Sequence, residues 1–244
     1  MPDNRRHRGP HPHDHDLFSQ EQLAPLRAAV GDYSWLLDRD YSPPSALKLV
    51  GDRYRLAERQ RTAVMRCAAP EGRLAGRRAK HVLRGTLPGA TVAIDGFNLL
   101  TTIEAAMSGG VILRGRDGCC RDMASLHGSW RRVEETRPAA ERIGEVLSSM
   151  GVAQSLWLLD SPVSNSGRLA QLLRVLADTR GWAWTVDTVP SPDHELKLSP
   201  EIVVTADSAI LDACGRWFDL AAAVLETISD VWQLDLRPDA TDSA

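Results

Sequence analysis

Three short apolar runs in this chain end on the same residue type. "TVAI" runs into Asp95, "SLWLL" into Asp160 and "EIVVTA" into Asp207. One carboxylate in such a place most often caps the helix that follows. Three of them suggest a site. If the runs are parallel strands of one sheet, their carboxyl ends line a single edge, where ligands of open α/β sheets bind. Carboxylates gathered there repel one another unless a proton or a cation separates them. All-oxygen surroundings suit a hard divalent ion, so Mg2+ or Mn2+ is the expected cofactor, with Asp95, Asp160 and Asp207 as ligands. Such an ion polarises a phosphoryl oxygen and lowers the pKa of an attacking water.

Short oxygen-bearing side chains stand in the same loops: Asn98, Ser164, Ser166 and Thr205. Arg168 opens a helix, Arg114 precedes the polar loop "GRDGCCRD" and Arg116 lies within it. A guanidinium fork matches phosphate geometry, so these residues are the expected substrate contacts. Gly96 is expected to let the chain turn tightly beside the ligand.

The elements that must position these groups follow from pattern. Strand-like runs at 91–95, 155–160, 183–189 and 201–207 alternate with helical ones at 98–108, 131–151, 166–181 and 208–215. A strand edge and loop fill 111–122, and 216–226 holds a last short strand or turn. Alternation of this kind predicts a parallel sheet in an α/β/α sandwich. The strands read as apolar throughout, as a sheet buried on both faces requires. Pro138 is expected to kink or split the helix at 131–151.

Ahead of this domain, placed at 88–236, residues 17–86 read as a small helical domain. Ser19 and Ser42 stand at cap positions, and Pro43 at a first helical position. Residues 45–86 carry 11 basic and 3 acidic side chains, a local +8. Residues 1–90 net +6 and residues 91–244 net -9, which sums to the chain's -3. A basic front beside an acidic back suits a protein that holds a polyanion with one part and metal with the other. RNA or another nucleic acid is therefore the expected partner. Residues 1–16, polar and rich in Pro and His, and 237–244 read as disordered tails. His11, His13 and His15 in the first tail alternate.

Composition narrows the class further. With 43% hydrophobic and 25% charged residues in 244, the chain reads as an ordinary globular protein. No apolar run reaches a membrane-spanning length, and no signal-peptide pattern is visible, so a cytoplasmic protein without membrane contact is expected. A homo-oligomer is compatible with this composition. Cys67, Cys119, Cys120 and Cys214 form no C-x-x-C pair and read as idle thiols.

"IDGFNLL" resembles the first motif of PIN-like and NYN-type nuclease domains, and "VVTADSAIL" resembles their late strand-and-helix motif. The resemblance spans about residues 88–226. It implies a Rossmannoid sandwich, Mg2+ or Mn2+ at clustered acids, and phosphodiester hydrolysis of RNA. By that resemblance Asp95 is the first-strand acid, Asn98 its companion, Asp160 the middle acid and Asp207 the late acid. A further acid is expected between the first and middle strands, where Asp122 is favoured and Glu104, Glu134 and Glu135 compete. The whole chain, with "ALKLVGDRYRLAERQR" and "GRDGCCRD", resembles an uncharacterised family combining DUF434 with a PIN-like DUF5616 part.

Other chemistries fit less well. A haloacid-dehalogenase-type phosphatase needs a second Asp two residues after the first, and Phe97 stands there. The Glu and D-x-D pattern of a Toprim domain, a P-loop and a G-x-S-x-G elbow are absent. His127 and His194 are loop histidines that could serve as bases. A non-catalytic nucleic-acid or nucleotide-binding module of the same fold is the main alternative to an enzyme.

Overall fold

The computed structural model describes residues 6–124 and 130–239. His127 and the outermost parts of the expected tails, 1–5 and 240–244, lie outside them. Five helices come first: α1 (Asp14–Leu17), α2 (Gln20–Leu37), α3 (Pro43–Arg53), α4 (Glu58–Cys67) and α5 (Glu71–Lys80). The α/β part follows as β1 (Thr91–Asp95), α6 (Gly96–Met107), β2 (Ile112–Arg114), β3 (Cys120–Asp122), α7 (Thr136–Ser149), β4 (Gln154–Asp160) and α8 (Ser166–Arg180). It closes with β5 (Trp184–Val189), α9 (Pro192–Leu198), β6 (Ile202–Val204), α10 (Ser208–Ala213), α11 (Leu220–Leu225) and β7 (Gln233–Asp235).

The main sheet has the order β5-β4-β1-β6, and every pairing in it is parallel. Alternating side chains send Val92, Ile94, Trp157, Leu159, Ile202 and Val204 to one face, under α6, α7, α8 and α11. Ala93, Val203 and Leu158 turn to the other, where the short α9 and α10 and the Trp217 segment cover them. This is the expected α/β sandwich with one thick and one thin layer. The thin layer explains a departure from the all-apolar expectation. Along β4 buried and less buried residues alternate, and most of β5, the edge strand, is open to solvent.

A second sheet, β3-β2-β7, joins the two parts of the chain. Residues 111–122 form an antiparallel hairpin where a strand edge and loop were expected. Leu113 of this sheet and the flanking Val111 and Leu236 pack in the same core as Leu26, Val30, Val50 and Val64 of the helices. Residues 131–135 are not helical, and Pro138 sits in the first turn of α7, where no intrahelical N–H is needed. Residues 216–226 contribute α11 and a bridge at Trp217. Ser19 and Ser42 occupy the cap positions of α2 and α3, but neither side chain bonds the helix amides.

The expectation of a disordered start through residue 16 fails for residues 6–16. Asp14 is fully buried and bidentate with Arg59. His15 stacks on Trp232 with ring centroids 4.6 Å apart. Arg8 pairs with the buried Glu104. Charged and aromatic side chains tie down a segment whose polarity alone suggested disorder. At the other end, the tail expected from 237 begins with Arg237 paired to Asp235. Among the described residues no helix is long and apolar enough to cross a membrane.

Candidate functional site

Register fixes what the carboxyl edge of the sheet presents. β6 pairs Val204 with Ile94, so Thr205 falls beside Asp95. Thr205 Oγ1 donates to Asp95 Oδ2 at 2.8 Å and accepts the Asp207 amide at 3.0 Å. One hydroxyl thus links the first acid to the backbone of the last. Asn98 lies in the first turn of α6. Its Oδ1 accepts the Ala206 amide at 2.9 Å, while its own N–H reaches Asp95 Oδ1 at 3.4 Å. Asp95 caps α6, and Asp207 caps α10 by accepting from Ala209 and Ile210 at 2.8 and 3.1 Å. The capping reading of both aspartates is therefore what the structure shows.

Gly96 has a different reason from the one expected. Its backbone is ordinary helix, but an added Cβ would stand 3.0 Å from the Leu158 carbonyl oxygen and against the Leu159 side chain. The glycine lets the start of α6 press onto β4.

Asp160 stands apart. Asp95 pairs with Leu158, so Asp160 lies two residues further along its strand. At 3.3 Å per residue that offset is about 7 Å. Among the described residues no three His, Cys, Asp or Glu side chains are grouped to hold a metal ion. The three-carboxylate cage expected of Asp95, Asp160 and Asp207 is therefore not formed, because the strands reach the edge at different heights.

Electrostatics nonetheless couples the edge. Burial, with the charges of Asp207 and Asp193 adding to it, pushes the Asp95 carboxyl up to about 7, against the bonds from Thr205 and Asn98. Burial and Asp193 raise Asp160 as well. Asp193 is the acid that sequence reading missed. It sits in the first turn of α9, whose cap Ser191 accepts the His194 amide at 3.4 Å. "SPDHE" directly after a strand is a helix-start signal, and it would have placed an acid at this edge. His194 is in the same short helix.

The other expected residues are held elsewhere. Asp122, buried, accepts from Thr102 Oγ1 at 2.8 Å and the Ala124 amide at 2.6 Å, with Arg66 3.8 Å away. Glu104 accepts from Thr136 at 2.5 Å as well as from Arg8. Glu135 takes His7 Nδ1 at 2.6 Å, and Glu134 lies 3.9 Å from the same ring. Arg116 bonds the Ala69 carbonyl and Glu71, both at 2.7 Å, and Arg114 the Gly118 carbonyl at 3.3 Å. Ser164 lies in the loop between β4 and α8, and Ser166, buried, is the first residue of α8. Arg168, exposed on α8, lines a cleft between α7 and α8.

The polar loop of the hairpin turns inward. Asp117 is bidentate with Arg121, at 2.8 and 2.7 Å, and takes Arg77 of α5 at 2.5 Å. Arg77 also reaches Asp212 of α10 at 2.7 Å. Arg121 Nε donates to the Ala206 carbonyl at 2.9 Å, so Ala206 is gripped from one side by Asn98 and from the other by this network. All four cysteines are free and buried.

The basic front is largely neutralised internally. Of the 11 basic side chains in 45–86, eight stand in ion pairs: Lys48, Arg53, Arg59, Arg61, Arg66, Arg73, Arg77 and Arg84. The last four of the arginines bind acids of the α/β part. The charge asymmetry therefore joins the two parts rather than forming a free basic face.

No solved structure matches the chain. A relative, the uncharacterized protein MJ0935 of Methanocaldococcus jannaschii, is 29% identical over 186 residues, which span 76% of this chain and 88% of that protein. The model of the DUF434 family, described as a protein of unknown function, matches residues 25–80. The helices α2 to α5 fill that stretch. The model of DUF5616, a domain of unknown function, matches residues 84–223 and so takes in β1, β4, β5 and β6 with their strand-end acids; the chain belongs to the DUF5616 family.

Proposed function

We propose that the chain is a metal-dependent ribonuclease whose site is the sheet edge around Asp95 and Asp207. The observation that carries this reading is the linked set Asp95–Thr205–Asp207 with Asn98, an all-oxygen group at the carboxyl ends of parallel strands. Mg2+ is ordinarily held by one or two carboxylates with water and substrate phosphate rather than by a protein cage. Asp95 and Asp207 meet that requirement without a third acid. When bound, the ion would polarise a phosphodiester and activate water. Thr205 and Asn98 fix the orientation of the two acids. Asp160 and Asp193 add negative potential at the same edge. The proposal places the protein in the cytoplasm, where free thiols stay reduced.

The test is cleavage of labelled RNA with Mn2+ or Mg2+. Asp95→Asn and Asp207→Asn each lower the rate by at least about a hundredfold, the scale expected when a charge-stabilising group is removed. Asp160→Asn retains a larger share of activity. Cleavage that survives Asp95→Asn, or that proceeds in EDTA, sinks the reading. In that event the site serves a non-catalytic nucleotide or nucleic-acid-binding protein.

A further inference from the structure

A cleft of about 740 Å³ lies between α7 and α8, on the thick side of the sheet. Arg131, Arg132, Arg137 and Arg168 line it, and among the described residues no carboxylate does. Arg137 is paired with Glu141 at 3.1 Å. Among the described residues, the guanidinium groups of Arg131, Arg132 and Arg168 have no bonding partner. This contrasts with the front helices, where most basic groups are already paired.

Between the arginines the cleft carries apolar surface beside the polar Asn165, Gln171 and Thr179. Leu172, Val175 and Leu176 of α8 contribute to its wall, with Val175 half exposed. Trp130 adds an indole that is 2% exposed, and its Nε1–H has no acceptor among the described residues. Asn165 Nδ2 donates to the Trp130 carbonyl at 3.0 Å, and the Trp130 amide donates to the Ser164 carbonyl at 3.2 Å. The cleft therefore begins at the loop that follows Asp160 at the sheet edge. From Arg168 to Thr179 it runs roughly 17 Å along α8, at 1.5 Å rise per residue.

We infer that this cleft binds a single strand of nucleic acid, with phosphates at Arg131, Arg132 and Arg168 and bases against the apolar wall. Guanidinium groups along a groove, interleaved with apolar surface, suit a flexible strand with exposed bases. The inference deepens the ribonuclease reading by naming the surface that holds its RNA, but binding is measured apart from cleavage.

The experiment follows the anisotropy of a fluorescein-labelled oligouridine in EDTA as protein and salt are varied. Arg132→Glu with Arg168→Glu weakens binding at least about tenfold, and the log–log salt slope falls by about 1.4, near 0.7 for each lost phosphate contact. The milder pair Arg132→Gln and Arg168→Gln shows the same direction, and thermal unfolding checks that both proteins remain folded. The control pair Arg55→Glu and Arg78→Glu, the two front arginines without a bonding partner among the described residues, binds like the unsubstituted chain. The inference is overturned if the cleft variants keep full affinity and salt slope, if only the control pair loses binding, or if the unsubstituted chain binds duplex alone or nothing. A chain that binds in EDTA yet never cleaves with Mn2+ loses the nuclease reading and keeps the cleft. A chain that cleaves equally well after the cleft substitutions does the reverse.

Discussion

Two aspartates with buried carboxyls, Asp117 and Asp95, lie on opposite sides of Ala206, and they are in opposite electrostatic states. Asp117 faces two arginines. Burial opposes its charge, but Arg121 and Arg77 outweigh that and hold its carboxyl below the ordinary value. Asp95 faces other acids, forms no ion pair among the described residues, and is pushed up to about 7. The residue type is the same and the burial similar. The difference is that the protein supplies the counter-charge in one place and omits it in the other. A carboxylate matched by arginines is a fastening. One left unmatched at a sheet edge is a place for a cation or a proton to arrive.

The strongest way to break this contrast is to remove the counter-charge from the fastened group. Arg121→Met strips Asp117 of its bidentate partner and frees the Ala206 carbonyl. With Arg77 still 2.5 Å from Asp117, the expected loss is about 3 kcal/mol, the lower end of what breaking a buried ion pair costs. Urea unfolding at neutral pH should show a loss of that size. A loss under about 1 kcal/mol, the scale of an exposed pair, would mean that the network is not the tie between α5, the hairpin and α10. The linkage has a definite sign. Because the Asp117 carboxyl is held below its usual range, its contribution is present above about pH 4 and fades as the pH falls through the folded value.

Asp95→Asn should act in the other direction. A carboxyl raised from 3.8 to about 7 binds its proton more tightly folded than unfolded, so it subtracts stability as the pH rises across that interval. Three pKa units bound the effect at about 4 kcal/mol, and disturbed hydrogen bonds to Thr205 and Asn98 reduce it. The variant is expected to gain on the order of 2 kcal/mol above pH 7 and nothing near pH 4. Urea titrations at the two pH values check this. A substitution that stabilises the fold while removing cleavage marks an acid kept for function rather than for folding. A destabilised variant above pH 7 would show that Asp95 is a fastening after all.

Sequence reading reached this contrast only in part, for reasons visible in particular residues. Asp95, Asn98, Thr205 and Asp207 were legible because β1 and the β6 region combine apolar runs with strand-end acids. The parallel sheet was legible from its alternation with helices. What pattern does not carry is register. A shift of two residues between β1 and β4 takes Asp160 about 7 Å along the strand direction, and no local signal reports that shift. Pairing across the chain is equally invisible. "GRDGCCRD" looked like a functional loop because its groups are polar. In the fold Asp117 and Arg121 satisfy each other and Arg77, 40 residues earlier. The front helices look like a basic platform for the same reason. Arg73, Arg77 and Arg84 find their acids more than a hundred residues away, in Asp212 and Glu226.

The smallest expected effect gives the sharpest reading of the edge. Asp193 is exposed on the first turn of α9, so Asp193→Asn should change stability by no more than about 0.5 kcal/mol. Its charge nevertheless contributes to raising both Asp95 and Asp160, which sit on different strands and at different heights. Removing it should lower both titrations together. Carboxyl carbon NMR across the acid and neutral range measures each one separately. A joint downward movement means that the edge is one field shared by acids that do not touch, which is how a site without a three-carboxylate cage can still attract a divalent ion. If Asp95 moves and Asp160 does not, Asp160 belongs to the surface, and the candidate site contracts to Asp95, Asp207 and the hydroxyl of Thr205 that links them.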